Sequence, residues 1–323
     1  MSDRMTRRHV LAGSATAGAG IVWSGMTVGA VRGASSHLTA PVSRTSPSFR
    51  ISLNTGTLRG HKLPITEVIE VAAKTGYDGI EPWVDELDRH AESGGSLKDL
   101  NRRITDRGLV VTGTIAFFEW MVDDAARRTQ GLDQAKRRMA QVAEIGGTFL
   151  AAPPAGDVKN VDLLKAAERY RELLDIGATF GVVPVLEIWG WAANLYRLGQ
   201  AVMVAVESGH PSACILPDVY HLYKGGSGFS GIARLNANLL GGFHLNDYPA
   251  DPPREKATDK DRVYPGEGVA PLKRLIQDLR VIGYGGPLSV ELFNPEHARQ
   301  DPFLVAKTAM EKTNRVIRAA LER

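Results

Sequence analysis

The chain has 323 residues, of which 43% are hydrophobic and 23% are charged, a balance typical of a globular protein that builds its own core. The chain has 39 basic and 36 acidic residues, and four of the basic and one of the acidic residues lie within residues 1–34. The rest of the chain therefore has 35 residues of each sign and no net charge. That balance excludes the strongly basic surface of a nucleic-acid-binding protein. The single cysteine, Cys214, excludes an intramolecular disulfide.

Residues 1–34 have the features of an export signal. Arg7 and Arg8 precede an apolar, Gly- and Ala-rich run that ends near Val31, and paired arginines in this setting are typical of a twin-arginine signal. The alternative, an uncleaved membrane anchor, needs roughly 20 strongly apolar residues, and this run is too rich in small and polar residues. We therefore expect cleavage, a periplasmic or extracellular location and no stable membrane insertion.

A linker rich in Ser, Thr and Pro at residues 35–48 is followed by two kinds of segment that alternate to the end of the chain. Short apolar segments are predicted as strands at residues 49–54, 78–83, 109–117, 148–153, 182–189, 213–218, 241–247 and 287–293. Amphipathic stretches are predicted as helices at residues 65–75, 95–107, 129–145, 160–179, 194–207, 229–239, 270–282 and 301–321.

Eight strand-then-helix units predict a fold of the α/β class, a single-domain (β/α)8 TIM barrel over residues 49–323. The strands are nearly continuous apolar runs, as in a parallel sheet. Several helices end in glycine just before the next strand, for example at Gly76 and Gly146. The alternative is an open doubly wound sheet, which expects a G-x-G-x-x-G turn after an early strand. The segment SLNTGTLRG does not contain one.

Charged or polar side chains end the last four predicted strands: Glu187, Asp218, His244 and Glu291. In a barrel these ends meet at one mouth, where three carboxylates repel each other unless a cation lies among them. Three oxygen ligands and one nitrogen predict a single divalent metal ion, with Mn²⁺ first and Mg²⁺, Co²⁺ or Zn²⁺ as alternatives. Each residue also has an alternative to the ligand role when it is considered alone. Asp218 could cap a helix, Glu187 could be a surface charge and His244 could be a histidine packed in the core.

Five further residues are predicted to lie at the same mouth and to bind substrate. His221 follows Asp218 by three residues, and its alternative is a solvated histidine at a helix start. Instead of binding substrate, Asp247 could form an Asx turn. Likewise, Arg262 could form a salt bridge at the surface. Trp189 offers an aromatic wall for sugar C–H faces or simply packs, and Glu81 is a further inward carboxylate.

The motifs VLEIWG, LPDVYHLY, FHLNDYP, RVYPGEGVAPL and LSVELFNPE resemble those of the xylose-isomerase-like TIM-barrel superfamily, which includes the sugar phosphate isomerases/epimerases. The resemblance covers about residues 49–321 and is specific in the second half. It implies that Glu187, Asp218, His244 and Glu291 hold one divalent metal and that His221 contacts a substrate oxygen. It also implies that Glu187 and Glu291 face each other across the substrate as acid and base.

The resemblance implies a small-molecule carbohydrate substrate and an isomerase or epimerase that removes a proton next to a carbonyl and forms an enediolate. The alternative outcome is a dehydratase or lyase acting on a keto-sugar, a 3-keto-glycoside or a cyclitol. A non-catalytic sugar-binding barrel is a further alternative. An endonuclease IV-like enzyme is disfavoured because the ends of the third and fourth strands carry no histidine. A homo-oligomer is left open.

Overall fold

Eight parallel strands form the inner wall of the protein, in a computed structural model that describes residues 49–322. The predicted export signal and linker, residues 1–48, lie outside the described residues. The strands are β1 (Arg50–Asn54), β2 (Gly79–Glu81), β3 (Val110–Val111), β4 (Phe149–Ala152), β5 (Val183–Glu187), β6 (Ile215–Leu216), β7 (Phe243–Leu245) and β8 (Pro287–Val290).

The strands close into a barrel in sequence order. One sheet has the order β3-β2-β1-β8-β7 and the other has β4-β5-β6. Isolated parallel bridges join the two sheets, from Ile115 beyond β3 to Ala151 in β4, and from Asp218 beyond β6 to His244 in β7. The TIM barrel predicted from the sequence is therefore confirmed, and the doubly wound alternative is wrong.

Helices surround the wall: α1 (Ile65–Lys74), α2 (Val84–Glu92), α3 (Leu97–Asp106), α4 (Ala125–Glu144), α5 (Leu163–Ala178), α6 (Leu198–Glu207), α7 (Val219–Lys224), α8 (Leu272–Val281) and α9 (Pro302–Leu321). The glycines predicted to end α1 and α4 do adopt positive φ, 86° at Gly76 and 79° at Gly146. No helix within residues 49–322 combines the length and the apolar character needed to cross a membrane.

One predicted helix is absent from the structure, and two observed helices, α2 and α7, were not predicted. The segment predicted as a helix at residues 229–239 forms two 3₁₀ turns, Ile232–Arg234 and Ala237–Leu239, and the helix after β6 is the short α7. The side chain of Asn236 accepts a hydrogen bond from the N–H of Asn238, which competes with helix formation. The helix α2 was not predicted, because its sequence contains few apolar residues.

The hydrophobic core has two parts, one between the wall and the helices and one inside the barrel. The inner part consists of Ile115, Ala151, Val185, Cys214 and Leu216. Cys214 is buried and reduced, as expected for a small apolar residue in a barrel interior. These side chains fill the barrel, so that polar residues at the carboxyl ends of the strands lie above a packed floor.

Candidate metal centre and active site

The four predicted ligands lie at the carboxyl ends of four successive strands. Glu187 is the last residue of β5, Asp218 lies just beyond β6, His244 is the central residue of β7 and Glu291 directly follows β8. Asp218 and His244 are bridge partners, and the N–H of Glu291 donates to the carbonyl oxygen of Leu245. All four ligand candidates are buried, and none exposes more than 5% of its surface.

Asp218, His244 and Glu291 form a compact cluster in which one possible ligand atom from each lies within 4.8 Å of the others. Nδ1 of His244 is 3.6 Å from Oδ2 of Asp218 and 3.3 Å from Oε2 of Glu291. The structure thus brings together three of the four predicted ligands. Glu187 does not belong to this tight group. Its Oε2 is buried and has no hydrogen-bond partner in the described chain.

Arg262 extends from the loop after β7 into the cluster. Its Nη1 donates to Oδ2 of Asp218 and to Oε2 of Glu291, both at 2.9 Å. The guanidinium lies between two aromatic rings, 4.9 Å from the centroid of Tyr220 and 5.1 Å from that of Phe293. Arg262 is only 1% exposed and is therefore not part of a fully solvated salt bridge, although its Nη2 also donates to Oδ1 of Asp259, whose side chain is 36% exposed, at 2.7 Å. Its positive charge compensates two of the buried carboxylates.

Burial and charge give the carboxyl groups different protonation behaviour. Burial raises the pKa of Glu187 to about 8, with the charges of Glu291 and Asp218 adding to the shift and that of His244 opposing it. Burial would also raise the pKa of Asp218, but Arg262, His221 and His244 together outweigh burial and hold this pKa well below its usual range. Burial lowers the pKa of His244, yet the neighbouring glutamates raise it well above its ordinary value. The carboxyl groups at the mouth therefore differ in their tendency to hold a proton, which is stronger in Glu187 than in Asp218.

Glu81, predicted to bind substrate, lies against His244. Its Oε2 is 3.1 Å from Nε2 of His244 and accepts a hydrogen bond of 2.9 Å from Nδ2 of Asn54. Burial would raise the pKa of Glu81, but the positive charge of His244 lowers it. The structure therefore places Glu81 behind the cluster, with 5% of its surface exposed.

His221 lies beside Arg262 at the start of α7. Its backbone N–H donates to Oδ1 of Asp218 at 2.8 Å, and its Nε2 is 3.1 Å from Nη2 of Arg262. The other ring nitrogen, Nδ1, has no hydrogen-bond partner within residues 49–322. Because only 3% of His221 is exposed, the solvated alternative is wrong, and the imidazole is a buried polar group beside the cluster.

Asp247 has a different role from the substrate contact predicted for it. Its carboxylate accepts hydrogen bonds from the backbone N–H groups of Tyr248, Gly266 and Ala270, at 2.8, 3.0 and 2.9 Å. A Cβ added to Gly268 would lie 2.3 Å from Oδ1 of Asp247. These contacts hold the loop that carries Arg262, and they differ from the Asx turn considered as the alternative, because the residue two positions on is Pro249, which has no N–H.

A group of aromatic rings lies at the mouth, and one of them, Phe293, packs against the guanidinium of Arg262. The rings of Trp189 and Phe117 have centroids 5.6 Å apart, and Trp83 lies 6.0 Å from Phe117 and 5.9 Å from Phe293. We call these four residues the aromatic rim. Trp189 is therefore part of an apolar wall, and both interpretations of it, packing and contact with sugar C–H faces, fit this position.

Two asparagines at strand ends belong to the site and were not singled out by the sequence. Asn54 ends β1 and holds Glu81, while Asn246 donates from Nδ2 to Oδ2 of Asp218 at 3.1 Å. Oδ1 of Asn246 accepts from the N–H of Tyr220 at 2.9 Å. The signal was available, because both asparagines follow the same strand-end rule as the charged residues.

The donor set fits a divalent cation. It offers carboxylate oxygens and one imidazole nitrogen, ligands suited to Mn²⁺, Co²⁺, Zn²⁺ or Mg²⁺. Neither nitrogen of His244 makes an aligned hydrogen bond to the described chain, and Oε2 of Glu187 also lacks one. Buried polar atoms are rarely left unpaired, and an ion would satisfy Oε2 of Glu187 and one ring nitrogen of His244.

Three curated relatives match most of this chain. An inosose isomerase from Bacillus velezensis is 27% identical over 259 residues, which cover 77% of this chain and 90% of the relative. A fructoselysine 3-epimerase from Escherichia coli O157:H7 is 26% identical, covering 78% and 94%. A 3-dehydroshikimate dehydratase from Pseudomonas aeruginosa is 24% identical, covering 71% of this chain but 36% of the relative. Relatives of these kinds support an enzymatic function.

A crystal structure of the IolI protein with a zinc atom superposes with a TM-score of 0.78 at 24% identity, covering 85% of this chain and 100% of that chain. This likeness confirms the barrel fold. The family model described as xylose isomerase-like TIM barrel matches residues 69–317. The chain therefore belongs to the xylose isomerase-like TIM barrel family.

Proposed function

We propose that the protein is a divalent-metal-dependent isomerase or epimerase of a sugar or keto-sugar. The observation that carries this proposal is the cluster of Asp218, His244 and Glu291, together with the unpaired, buried Glu187. Such a set of carboxylates is costly to bury unless it binds a cation and acts on protons. We propose Mn²⁺ as the ion, because oxygen ligands dominate the donor set.

Asp218, His244 and Glu291 would hold the ion, with Glu187 as the fourth ligand. When bound, the ion would polarise a carbonyl group of the substrate and so acidify the neighbouring C–H bond. Glu187 is suited to proton transfer because its buried Oε2 has no hydrogen-bond partner in the described chain. Glu291 is the second proton-transfer group in this proposal, and the two glutamates together would take a proton and return it.

The mouth offers two kinds of contact to a carbohydrate. His221 would offer its buried Nδ1, which is without a partner in the described chain, to a substrate oxygen, while the N–H groups of Arg262 already bond to Asp218, Glu291, Asp259 and His221. The aromatic rim would offer apolar ring surface. This division suits a ring that has hydroxyl groups at its edge and C–H groups on its face.

A dehydratase or lyase is the second candidate function. A 3-dehydroshikimate dehydratase is among the relatives of this chain, beside the isomerase and the epimerase. The same proton removal next to a carbonyl leads to elimination when a leaving group occupies the β carbon. The substrate class would then be a keto-sugar, a 3-keto-glycoside or a cyclitol ketone, and the product would have a lower mass.

The test is incubation of Mn²⁺-loaded protein with keto-sugars and cyclitol ketones in D₂O, followed by NMR and mass spectrometry. We expect deuterium at the carbon next to the carbonyl, with mass otherwise conserved for isomerisation and reduced for elimination. Glu291→Gln should reduce this incorporation at least 100-fold, since general acid–base groups typically contribute 10²–10⁴-fold. Glu296→Gln is the control, because that side chain is 62% exposed and pairs only at the surface with Arg299. Undiminished exchange in Glu291→Gln would contradict the proposed mechanism.

A further inference from the structure

His244 has carboxylates on both sides of its ring, and the two sides differ. Nδ1 faces Asp218 and Glu291 at 3.6 and 3.3 Å, the two other members of the ligand cluster. Nε2 faces Glu81 alone, at 3.1 Å. A neutral imidazole binds an ion through the nitrogen without a proton and carries its proton on the other nitrogen. An ion held at Nδ1 therefore leaves a proton on Nε2, where Glu81 is the acceptor within hydrogen-bonding distance.

Glu81 is held in place by its own set of contacts. Nδ2 of Asn54 donates to its Oε2, and Oδ1 of Asn54 accepts from the indole N–H of Trp83 at 2.9 Å and from the N–H of Gly56 at 2.8 Å. A Cβ added to Gly113 would lie only 2.5 Å from Oε1 of Glu81. Only glycine leaves room for the carboxylate at this position, so the side chain occupies a closely fitted slot.

We propose that Glu81 is a positioning residue that orients His244 for binding the metal through Nδ1, and not a residue that contacts substrate. This inference rests on the proposed function, because it assigns a role at the same metal site. Carboxylate partners of metal-bound histidines fix the ring and its tautomer, and losing them typically lowers metal affinity 10–100-fold. Asn54 and Gly113 in turn position Glu81, Asn54 by its hydrogen bond and Gly113 by leaving room for the carboxylate.

The test measures Zn²⁺ affinity of the full chain by competition with a chromogenic chelator. Glu81→Met keeps the length of the side chain but removes the acceptor, and we expect affinity to fall 10–100-fold. Glu81→Gln keeps one acceptor oxygen without the charge and should recover part of the loss. Glu86→Met is the matched control, because Glu86 is equally buried, at 6% exposure, but bonds to Thr55 and to the N–H of Trp83 instead. We expect Zn²⁺ affinity within twofold of the wild type in this control.

A second measurement needs no substitution at Glu81. In Zn²⁺-loaded wild-type protein with ¹⁵N-labelled histidine, the His244 signals should show a protonated Nε2 and a metal-bound Nδ1. The opposite assignment would overturn the inference, as would Glu81→Met with Zn²⁺ affinity within twofold of the wild type. Wild-type protein that bound no Zn²⁺, Mn²⁺ or Co²⁺ at all would instead overturn the proposed function and this inference with it. Both readouts are independent of catalytic activity.

Discussion

Arg262 is the residue whose charge most directly opposes those of the ligand cluster. One guanidinium nitrogen serves both Asp218 and Glu291, at 2.9 Å each, and both carboxylates are also candidate ligands. The arginine and an ion therefore compete for the same oxygens. Removing one partner from a buried ion pair leaves an uncompensated charge, which typically costs about 3–5 kcal/mol.

We therefore expect Arg262→Gln to lower the free energy of unfolding of the metal-free protein by about 3–5 kcal/mol. Added Mn²⁺ should restore more stability to this variant than to the wild type, because the ion then meets no competing cation. Urea unfolding with EDTA and with Mn²⁺ measures both effects. Arg299→Gln is the control, since Arg299 is 76% exposed and its surface pair with Glu296 contributes at most about 1 kcal/mol. Equal stabilities of Arg262→Gln and wild type in EDTA would refute this account of the arginine.

The sequence indicated much of the site at the level of single residues, because the strand-end rule applies one residue at a time. For Asp218 the helix-cap interpretation is correct, and it leaves the second carboxylate oxygen available for the predicted ligand role. Its Oδ1 caps α7 by accepting from the N–H of His221, while its Oδ2 faces the cluster. The roles of Glu81 and Asp247 could not be read from the sequence. They depend on which neighbour each carboxylate meets, and those neighbours lie on other strands and loops.

Among the elements, α5 packs on the barrel wall with an apolar face, and one of its side chains, Tyr170, also forms hydrogen bonds to the wall. The OH of Tyr170 lies 2.8 Å from the carbonyl oxygen of Pro184 in β5 and 2.9 Å from that of Cys214 just before β6, so that its one proton is shared between these two acceptors. The same OH accepts from the N–H of Cys214 at 3.2 Å. Pro184 has no N–H of its own to offer the sheet. The tyrosine thus connects a helix with two neighbouring segments of the wall.

Tyr170→Phe should lower the free energy of unfolding by about 1–3 kcal/mol, because it leaves buried backbone groups without a partner while the ring remains packed. Chemical denaturation measures the change. Tyr264→Phe is the matched control, since the buried OH of Tyr264 makes no hydrogen bond to the rest of residues 49–322. Its removal should leave stability nearly unchanged. A larger loss in Tyr264→Phe than in Tyr170→Phe would contradict the role given to the Tyr170 hydroxyl.

The order and type of most elements follow from the sequence, because apolar period and glycine helix ends are local signals. The exceptions have physical causes. The short α7 begins at the cap supplied by Asp218, a residue that the sequence also assigns to the metal site. The segment at 229–239 has helical spacing of apolar residues, but the Asx turn at Asn236 interrupts it. Spacing alone does not reveal such competition between side chain and backbone.

For the whole molecule, we propose export through a twin-arginine signal followed by cleavage near residue 34. The basis is Arg7 and Arg8 before an apolar, small-residue run, together with the concentration of positive charge in this segment. Mass spectrometry of protein from the periplasm or the medium should find an amino terminus near residue 35. Substituting both arginines by lysine should retain the full-length chain inside the cell. The control is the same double substitution at Arg102 and Arg103 on α3, which should leave export unchanged.

The barrel closes where two hydrogen-bonded sheets meet, and this junction involves residues of the candidate metal site. The wall consists of two hydrogen-bonded sheets, and where β6 meets β7 the sheets are joined by isolated bridges, one of them between Asp218 and His244. These two residues, on opposite sides of a seam, are also candidate ligands of one ion. A bound ion would therefore cross-link the two sheets of the barrel wall. Loss of the ion would weaken the contact between the sheets, so that proton transfer at the site and the stability of the barrel wall depend on the same contacts.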